Sequence, residues 1–556
     1  MNEGYTKVFV SLDGTEQQDF VLARAIKVAA NNGAKLIIGH VIDSTALESA
    51  GSYPVDLVNG LEEAFKNSIA KQLEEAKANP DIPEVEVMIR AGRIRETLKD
   101  EMLDFLPLRH NKATYGSTRL GRVGAYGLKA RICLNWGCIP TKALLHGAEV
   151  AHTITHASQL GISVGEVNVD LQKLVQFSRT VSQQLTAGVA YLLKKNGVRV
   201  IDGTARLRGK GQITVEDARG EARDYRADHV ILATGARPRA LPGIAPDGEH
   251  IWTYFEALRP KLLPKSLLII GSGAIGVEFA SLYNDLGCKV TLVELASQIL
   301  PVEDAEVSAA VRKSFEKRGI QIHTQTLVTQ VQLTDTGVRC TLNNTGGEYS
   351  QDVERVLLAV GVQPNIEDLG LEALGVELDR GFIKTDAACR TNVFGLYAIG
   401  DVAGPPCLAH KASHEGVICV ETLAGVEGAH PLDRDYVPGC TYARPQVASL
   451  GLTESTALAR GRPVRIGKFS YQSNGKALAS GETEGFVKTI FDAETGELLG
   501  AHMVGAQVTE QIQGFGIARH LEATDESLLS MIFAHPTLSE AMHESILAAC
   551  DQPLHQ

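Results

Sequence analysis

Two cysteines five positions apart stand out in the stretch RICLNWGCIPTK, which runs from Arg131 to Lys142. Cys133 and Cys138 account for two of only nine cysteines in 556 residues. Ile139 to Ile154 carries apolar residues at helical spacing, and Pro140 suits a first helical turn because its missing N–H costs nothing there. Cys138 is therefore expected at a helix N-terminus, where the dipole and unpaired amides favour a thiolate. On one regular helix the two cysteines would be separated by about 7.5 Å of rise, more than a disulfide spans, so the segment between them must loop. Gly137 permits the loop. Zinc is a competing use, but the spacing is not CxxC and no second Cys or His pair stands at finger-like distance. A redox pair and an inert pair both remain open on these residues alone, and the context favours the first.

A second chemical signature is SLLIIGSGAIGVEFASLYNDLGCKVTLVE. Three glycines, Gly271, Gly273 and Gly276, separate a buried strand, Ser266 to Ile270, from an amphipathic helix, Val277 to Leu286. Glycines there let the backbone approach a pyrophosphate, whose charge the helix N-terminus receives. A further strand, Lys289 to Val293, ends at Glu294, where an acid accepts a ribose hydroxyl and repels a 2′-phosphate. The reading is a dinucleotide site that prefers NAD to NADP. Two other apolar runs, HVILATG from 229 and LYAIGD from 396, read as buried strands entering tight turns, the second ending at Asp401. FAHPTLSE, at 533 to 540, places Glu540 five residues after His535. A carboxylate on one imidazole nitrogen fixes the tautomer and lets the other nitrogen take a proton.

These residues carry a resemblance. CLNWGCIPTK resembles the redox-active disulfide segment of the dihydrolipoamide dehydrogenases, a branch of the flavin disulfide reductase family, and HPTLSE resembles the general-base segment of that branch. The resemblance implies that Cys133 is the interchange thiol, Cys138 the thiolate against the flavin and Lys142 a cation near flavin N5. It implies FAD contacts at Ala205, Thr234, Gly235, Asp401, Ala409 and His410, and places Glu278, Val328 and Gly361 with Gly271, Gly273, Gly276 and Glu294 around NAD. His535, oriented by Glu540, would reach the thiols from the partner subunit of a homodimer. The implied partners are lipoyl-bearing domains of 2-oxo acid dehydrogenase complexes or of the glycine cleavage system.

The chain opens differently from that family. Residues 5 to 43 alternate strand, helix and strand, with apolar positions at 21, 22, 26, 28 and 29, which describes a βαβ unit. This opening resembles a universal stress protein, with Asp13 as the acid after the first strand and VEVMIRAGRIRETLKDEMLDF, at 85 to 105, as the next strand and helix. The glycine fingerprint that should cradle FAD before the cysteines is absent. GSTRLGRVGAYG offers glycines where the stress-protein resemblance implies a strand and a GxxG phosphate loop, without matching that loop; DGTEQQD places carboxylates where an FAD pyrophosphate would sit, although Asp43 ends the second strand as a ribose-binding acid would.

The expected architecture is α/β: Rossmann-type FAD and NAD domains, a C-terminal α+β dimerisation domain and an N-terminal βαβ universal-stress-like module. The expected boundaries are 1–106 for the stress-like module, 107–132 for a basic junction, 133–255 and 376–435 for the FAD domain, 256–375 for the NAD domain and 436–556 for dimerisation. A net charge of −12 argues against a nucleic-acid surface. No signal peptide or membrane span is apparent, so a cytoplasmic protein is expected. The function implied is transfer of electrons from dihydrolipoamide through the cysteines and FAD to NAD. The alternative is a nucleotide-binding stress protein whose reductase half is an inactive dimerisation scaffold. Cys288, Cys340, Cys389, Cys407, Cys419, Cys440 and Cys550 are expected to be small buried hydrophobes.

Overall fold

The alternating apolar pattern of the first forty residues folds as its period dictates. In the computed structural model, which describes residues 7–12, 18–43, 63–92, 131–426 and 431–555, strand β1 (Lys7–Leu12) runs parallel to β2 (Lys35–Asp43). Helix α1 (Gln18–Asn32) connects them, and β3 (Val85–Gly92) extends the sheet in parallel beside β2. Leu22, Ala25 and Ala29 form one helical face and pack with Leu36, Ile38, Phe65 and Ile69. Helix α2 (Ala70–Lys77) adds Ala76 to this core. Gly33, at φ +59°, ends α1 in the left-handed conformation that glycine adopts freely. Asp43 is the last residue of β2. Asp13, the helix expected after β3, the glycines of GSTRLGRVGAYG and the basic junction up to residue 130 lie outside the described residues.

The chain divides into two compact units, Met1–Thr118 and Arg119–Gln556. The second begins, in its described part, with helix α3 (Arg131–Trp136), which breaks at Gly137 before helix α4 (Cys138–Thr155). The separation of the cysteines is therefore achieved by a broken helix, where the spacing led us to expect a loop. Gly137 is the break, with φ −147° and ψ −115°. Helix α5 (Leu171–Lys195) follows, capped by Asp170, whose carboxylate accepts the Lys173 amide. Val230–Leu232 and Leu396–Ala398 then pair in parallel as a two-stranded sheet.

Strand β4 (Ser266–Ile270) lies at the centre of a five-stranded parallel sheet, flanked by Arg355–Leu358 and by β5 (Lys289–Val293). Its near-continuous apolar sequence reflects burial on both faces. Leu267 and Ile269 pack with Val277 and Phe279 of helix α6 (Ala274–Asp285), whereas Leu268 and Ile270 meet Val338 and Leu342 on the other side. The alternation follows from the period of two in a strand. Helix α6 starts three residues before the expected Val277, immediately after Gly273.

The remainder, after helix α7 (Ala409–Leu423), is an antiparallel five-stranded sheet whose central strand, Leu498–Gly505, and its neighbour Phe486–Asp492 are buried throughout. Helices Val508–His520 and Glu540–Ala549 cover it through Phe515, Ala541 and Ile546.

Candidate active site

The thiols of Cys133 and Cys138 are free, and the two groups influence each other across the α3–α4 break. The Cys133 thiol is the main influence bringing Cys138 down to about 7, with the nearby Lys142 charge adding to it; removal of water around the sulfur and the Glu278 carboxylate oppose it. The Cys133 thiol is pushed well above its ordinary value, first by Cys138 and then by burial. The opposite shifts favour the negative charge on Cys138, at the start of an 18-residue helix.

Lys142, one turn further along α4, donates to both oxygens of Glu278 on α6, at 2.7 and 2.8 Å. Glu278 also accepts the Tyr442 amide at 2.9 Å, and the Lys142 ammonium lies 4.5 Å from the centre of the Tyr442 ring. Lys142 and Glu278 had been expected beside different cofactors; one ion pair links them.

The glycine turn has room for a dinucleotide phosphate. Gly271 sits at φ +100°, and a Cβ on Gly276 would stand 1.9 Å from the Gly271 carbonyl oxygen, so neither position tolerates a side chain. Gly273 caps α6 without a side-chain acceptor, and a Cβ built there meets nothing within 4 Å. The start of α6 thus has no side-chain cap and open space beside Gly273, which suits an anion. Glu294 follows β5 and accepts from the Ser272 amide at 2.9 Å, the Ser272 hydroxyl at 2.7 Å and the Ala296 amide at 2.8 Å. Val328 is buried in the core with Ile270 and Val293. Gly361, at φ +97°, accepts the Arg239 amide at 3.1 Å.

On the flavin side, Asp401 lies in the turn Gly400–Ala403 after Leu396–Ala398. Its carboxylate has no hydrogen-bond partner among the described residues, and burial raises its pKa. Its charge reaches Cys133, contributing to the rise there. An unpartnered, half-buried carboxylate beside the thiols is suited to a polyol such as the ribityl chain. Ala409 and His410 open α7, and the His410 Nε2 lies 2.9 Å from the Pro438 carbonyl oxygen. The Thr234 hydroxyl donates to the Asn365 carbonyl at 2.7 Å, Gly235 adopts φ +69°, and Ala205 lies on the strand Thr204–Gly209, paired with Val215. Among the described residues no second glycine turn opens a helix for a flavin pyrophosphate.

His535 and Glu540 meet as expected, Nδ1 to Oε1 at 2.8 Å, and Glu540 also accepts the Thr537 amide at 2.8 Å. His535 is exposed, and among the described residues no hydrogen bond or ion pair joins it to the cysteines.

A model described as pyridine nucleotide-disulphide oxidoreductase matches residues 111–416, and the dimerisation domain of the same description matches 437–546. The chain belongs to the pyridine nucleotide-disulphide oxidoreductase family. The universal stress protein family model matches residues 4–104 of this oxidoreductase. It is 54% identical over 425 residues to a dihydrolipoyl dehydrogenase of Zymomonas mobilis, covering 76% of this chain and 91% of that protein. The figure is again 54%, over 441 residues, for the dihydrolipoyl dehydrogenase of Rhizobium etli, covering 76% and 92%. Among solved structures, LpdA of Mycobacterium tuberculosis superposes with a TM-score of 0.71 at 28% identity, covering 76% of this chain and 97% of that one. No helix among the described residues of the oxidoreductase is long and apolar enough to cross a membrane.

Two positioning elements escaped the sequence reading. One is Tyr442, which touches both members of the Lys142–Glu278 pair. The other is a buried clamp on α7: Lys411 donates to the Gly400 and Gly404 carbonyls at 3.0 and 2.9 Å, and Glu415 accepts the Gly400 amide at 2.7 Å. Together they grip the turn that presents Asp401. The spacing of four between Lys411 and Glu415 was a usable signal, since such residues share a helix face. Of the remaining cysteines, Cys288, Cys340, Cys389 and Cys419 are buried as expected, whereas Cys407, Cys440 and Cys550 are only partly buried.

Proposed function

We propose that this chain is a dihydrolipoyl dehydrogenase that oxidises dihydrolipoamide with NAD. The observation that carries the reading is the Cys133 and Cys138 pair set across the helix break, with Cys138 at a helix start beside the Lys142–Glu278 pair and its pKa lowered. A low-pKa sulfur is the better leaving group in thiol–disulfide exchange, so the incoming thiolate attacks Cys133 of the oxidised pair and Cys138 departs. The second substrate thiol then displaces Cys133 from the mixed disulfide. The substrate leaves as a cyclic disulfide and the enzyme keeps two reduced sulfurs, with the protons released to a base.

That base is assigned to the partner subunit's His535. Glu540 occupies Nδ1 and leaves Nε2 free to accept the proton. The exposure of His535 supports a role completed across a homodimer interface formed by the dimerisation domain. Lys142, Asp401, Thr234, Gly235, Ala205 and the start of α7 are assigned to FAD, and Gly271, Gly273, Gly276, Glu278, Glu294, Val328 and Gly361 to NAD. When bound, FAD supplies the two-electron relay between the dithiol and NAD. The FAD domain is assigned to 133–255 and 376–435, the NAD domain to 256–375 and the dimerisation domain to 436–556. Lipoyl-bearing domains of 2-oxo acid dehydrogenase complexes or of the glycine cleavage system are the partners, in a cytoplasmic setting that keeps the thiols cycling.

The rival reading, a nucleotide-binding stress protein on a catalytically silent scaffold, draws on the match at residues 4–104 and on the missing flavin glycine turn. Thiol trapping separates the two. Oxidised protein is mixed with stoichiometric dihydrolipoamide, quenched with iodoacetamide and mapped by mass spectrometry. The dehydrogenase reading expects Cys133 and Cys138 to become labelled only after substrate. Cysteines whose labelling ignores the substrate would support the scaffold.

A further inference from the structure

Trp136 stands between the two cysteines and immediately before the Gly137 break. Two guanidinium groups lie over its indole: Arg259 4.2 Å and Arg179 4.9 Å from the ring centre. Phe255 meets it edge-on, with centroids 5.1 Å apart and planes at 71°. Neither arginine pairs with a carboxylate among the described residues, and the Arg259 charge helps lower the pKa of Arg179 after burial. Two like charges without acids are unfavourable unless something in contact with both compensates. The π-system of an aromatic ring does so.

The neighbouring residue is tied to the same helix. The Arg179 guanidinium also donates to the Asn135 carbonyl, and the Asn135 side-chain amide donates to the Thr186 hydroxyl at 3.2 Å. Arg179 and Thr186 are seven apart on α5 and so share one face. Helix α3 is only six residues long, too short to be stable alone. Its position relative to α4 is therefore set by these contacts, because Gly137 interrupts the helix between Cys133 and Cys138.

We propose that the cluster of Arg179 and Arg259 on Trp136 is a positioning device for the thiol pair, fixing the short helix and with it the place of Cys133 relative to Cys138. Trp136, Arg179 and Arg259 do not touch the reacting sulfurs; they act through the orientation of α3. The inference rests on the reading of Cys133 and Cys138 as a redox pair.

Reduced full-length protein is alkylated with iodoacetamide between pH 5 and 10, and the rate at Cys138 is followed by mass spectrometry. The parent should show an inflection at about 7. In W136V the inflection should rise by about one pH unit, a roughly tenfold slower reaction on the acidic side. W136F, which keeps a ring beside the arginines, should recover most of the difference. R259K keeps the charge, loses the planar guanidinium and should shift the profile in the same direction by less; it serves as the variant if W136V does not fold. A folded W136V, or R259K, with the parent's inflection overturns the cluster's role even if its melting temperature falls. A parent inflection near that of an ordinary thiol would instead overturn the redox-pair reading, so the two failures are distinguishable.

Discussion

Lys142 and Glu278 are held together by two hydrogen bonds, 2.7 and 2.8 Å, across 136 positions of sequence. The pair fastens the cysteine-bearing helix α4 to α6, the helix that opens on the glycine turn. The two charges act on Cys138 in opposite senses, since Lys142 lowers its pKa and Glu278 raises it. Removing each should therefore move the thiol in opposite directions. K142M is expected to raise the alkylation inflection of Cys138 and E278Q to lower it, both read from pH-dependent labelling of reduced protein. E278Q should also cost about 1–3 kcal/mol in denaturant unfolding, less than a fully buried pair because Lys142 is 30% exposed.

The coupling of the two thiols gives a second expectation. The Cys133 thiol is the largest cause of the lowered Cys138 pKa, so C133A should return Cys138 toward an ordinary thiol. C138A should bring Cys133 down from its raised value, because Cys138 is the largest cause there. Labelling each single mutant across pH checks both. Independent titration of the two sulfurs, unchanged by removal of the partner, would contradict the coupling.

The motifs that were legible in the sequence are those whose chemistry is local. The strand Ser266–Ile270, the glycine turn and the strand Lys289–Val293 appear at the expected residues because each is fixed by near-neighbour pattern and backbone freedom. His535 and Glu540 pair within one turn for the same reason. The arrangement around Lys142 was not legible, because its partner Glu278 and Tyr442 reach it only through packing of distant segments. The broken helix at Gly137 was half legible: the cysteine spacing demanded a departure from a regular helix, yet only tertiary contacts decided that the departure would be a break between two helices.

NAD preference should depend on Glu294. Its carboxylate already holds Ser272 and Ala296 and leaves negative charge where a 2′-phosphate would lie. NADH is expected to bind at least about tenfold more tightly than NADPH by fluorescence titration, and E294A should narrow the ratio to about threefold or less. G276A should abolish binding of both, since its Cβ would strike the Gly271 carbonyl.

Acid stability should draw on Asp492. The Thr495 amide, at 2.9 Å, and the Arg462 guanidinium, at 2.7 Å, hold its carboxyl down at about 2. A depressed carboxyl stabilises the fold fully above its ordinary value of 3.8 and loses that contribution as pH falls through about 2. D492N should therefore lower stability by about 1–2 kcal/mol at pH 7, and the gap from the parent should close toward pH 2. Thermal unfolding across that range reads the difference.

The most direct test is dihydrolipoamide-driven reduction of NAD by the full chain supplemented with FAD, followed by NADH absorbance alongside C133S. The account predicts NADH formation that requires dihydrolipoamide and is lost in C133S, with H535Q slowed roughly 100-fold or more. No NADH from the parent under saturating FAD, or a rate unchanged in C133S, would contradict it.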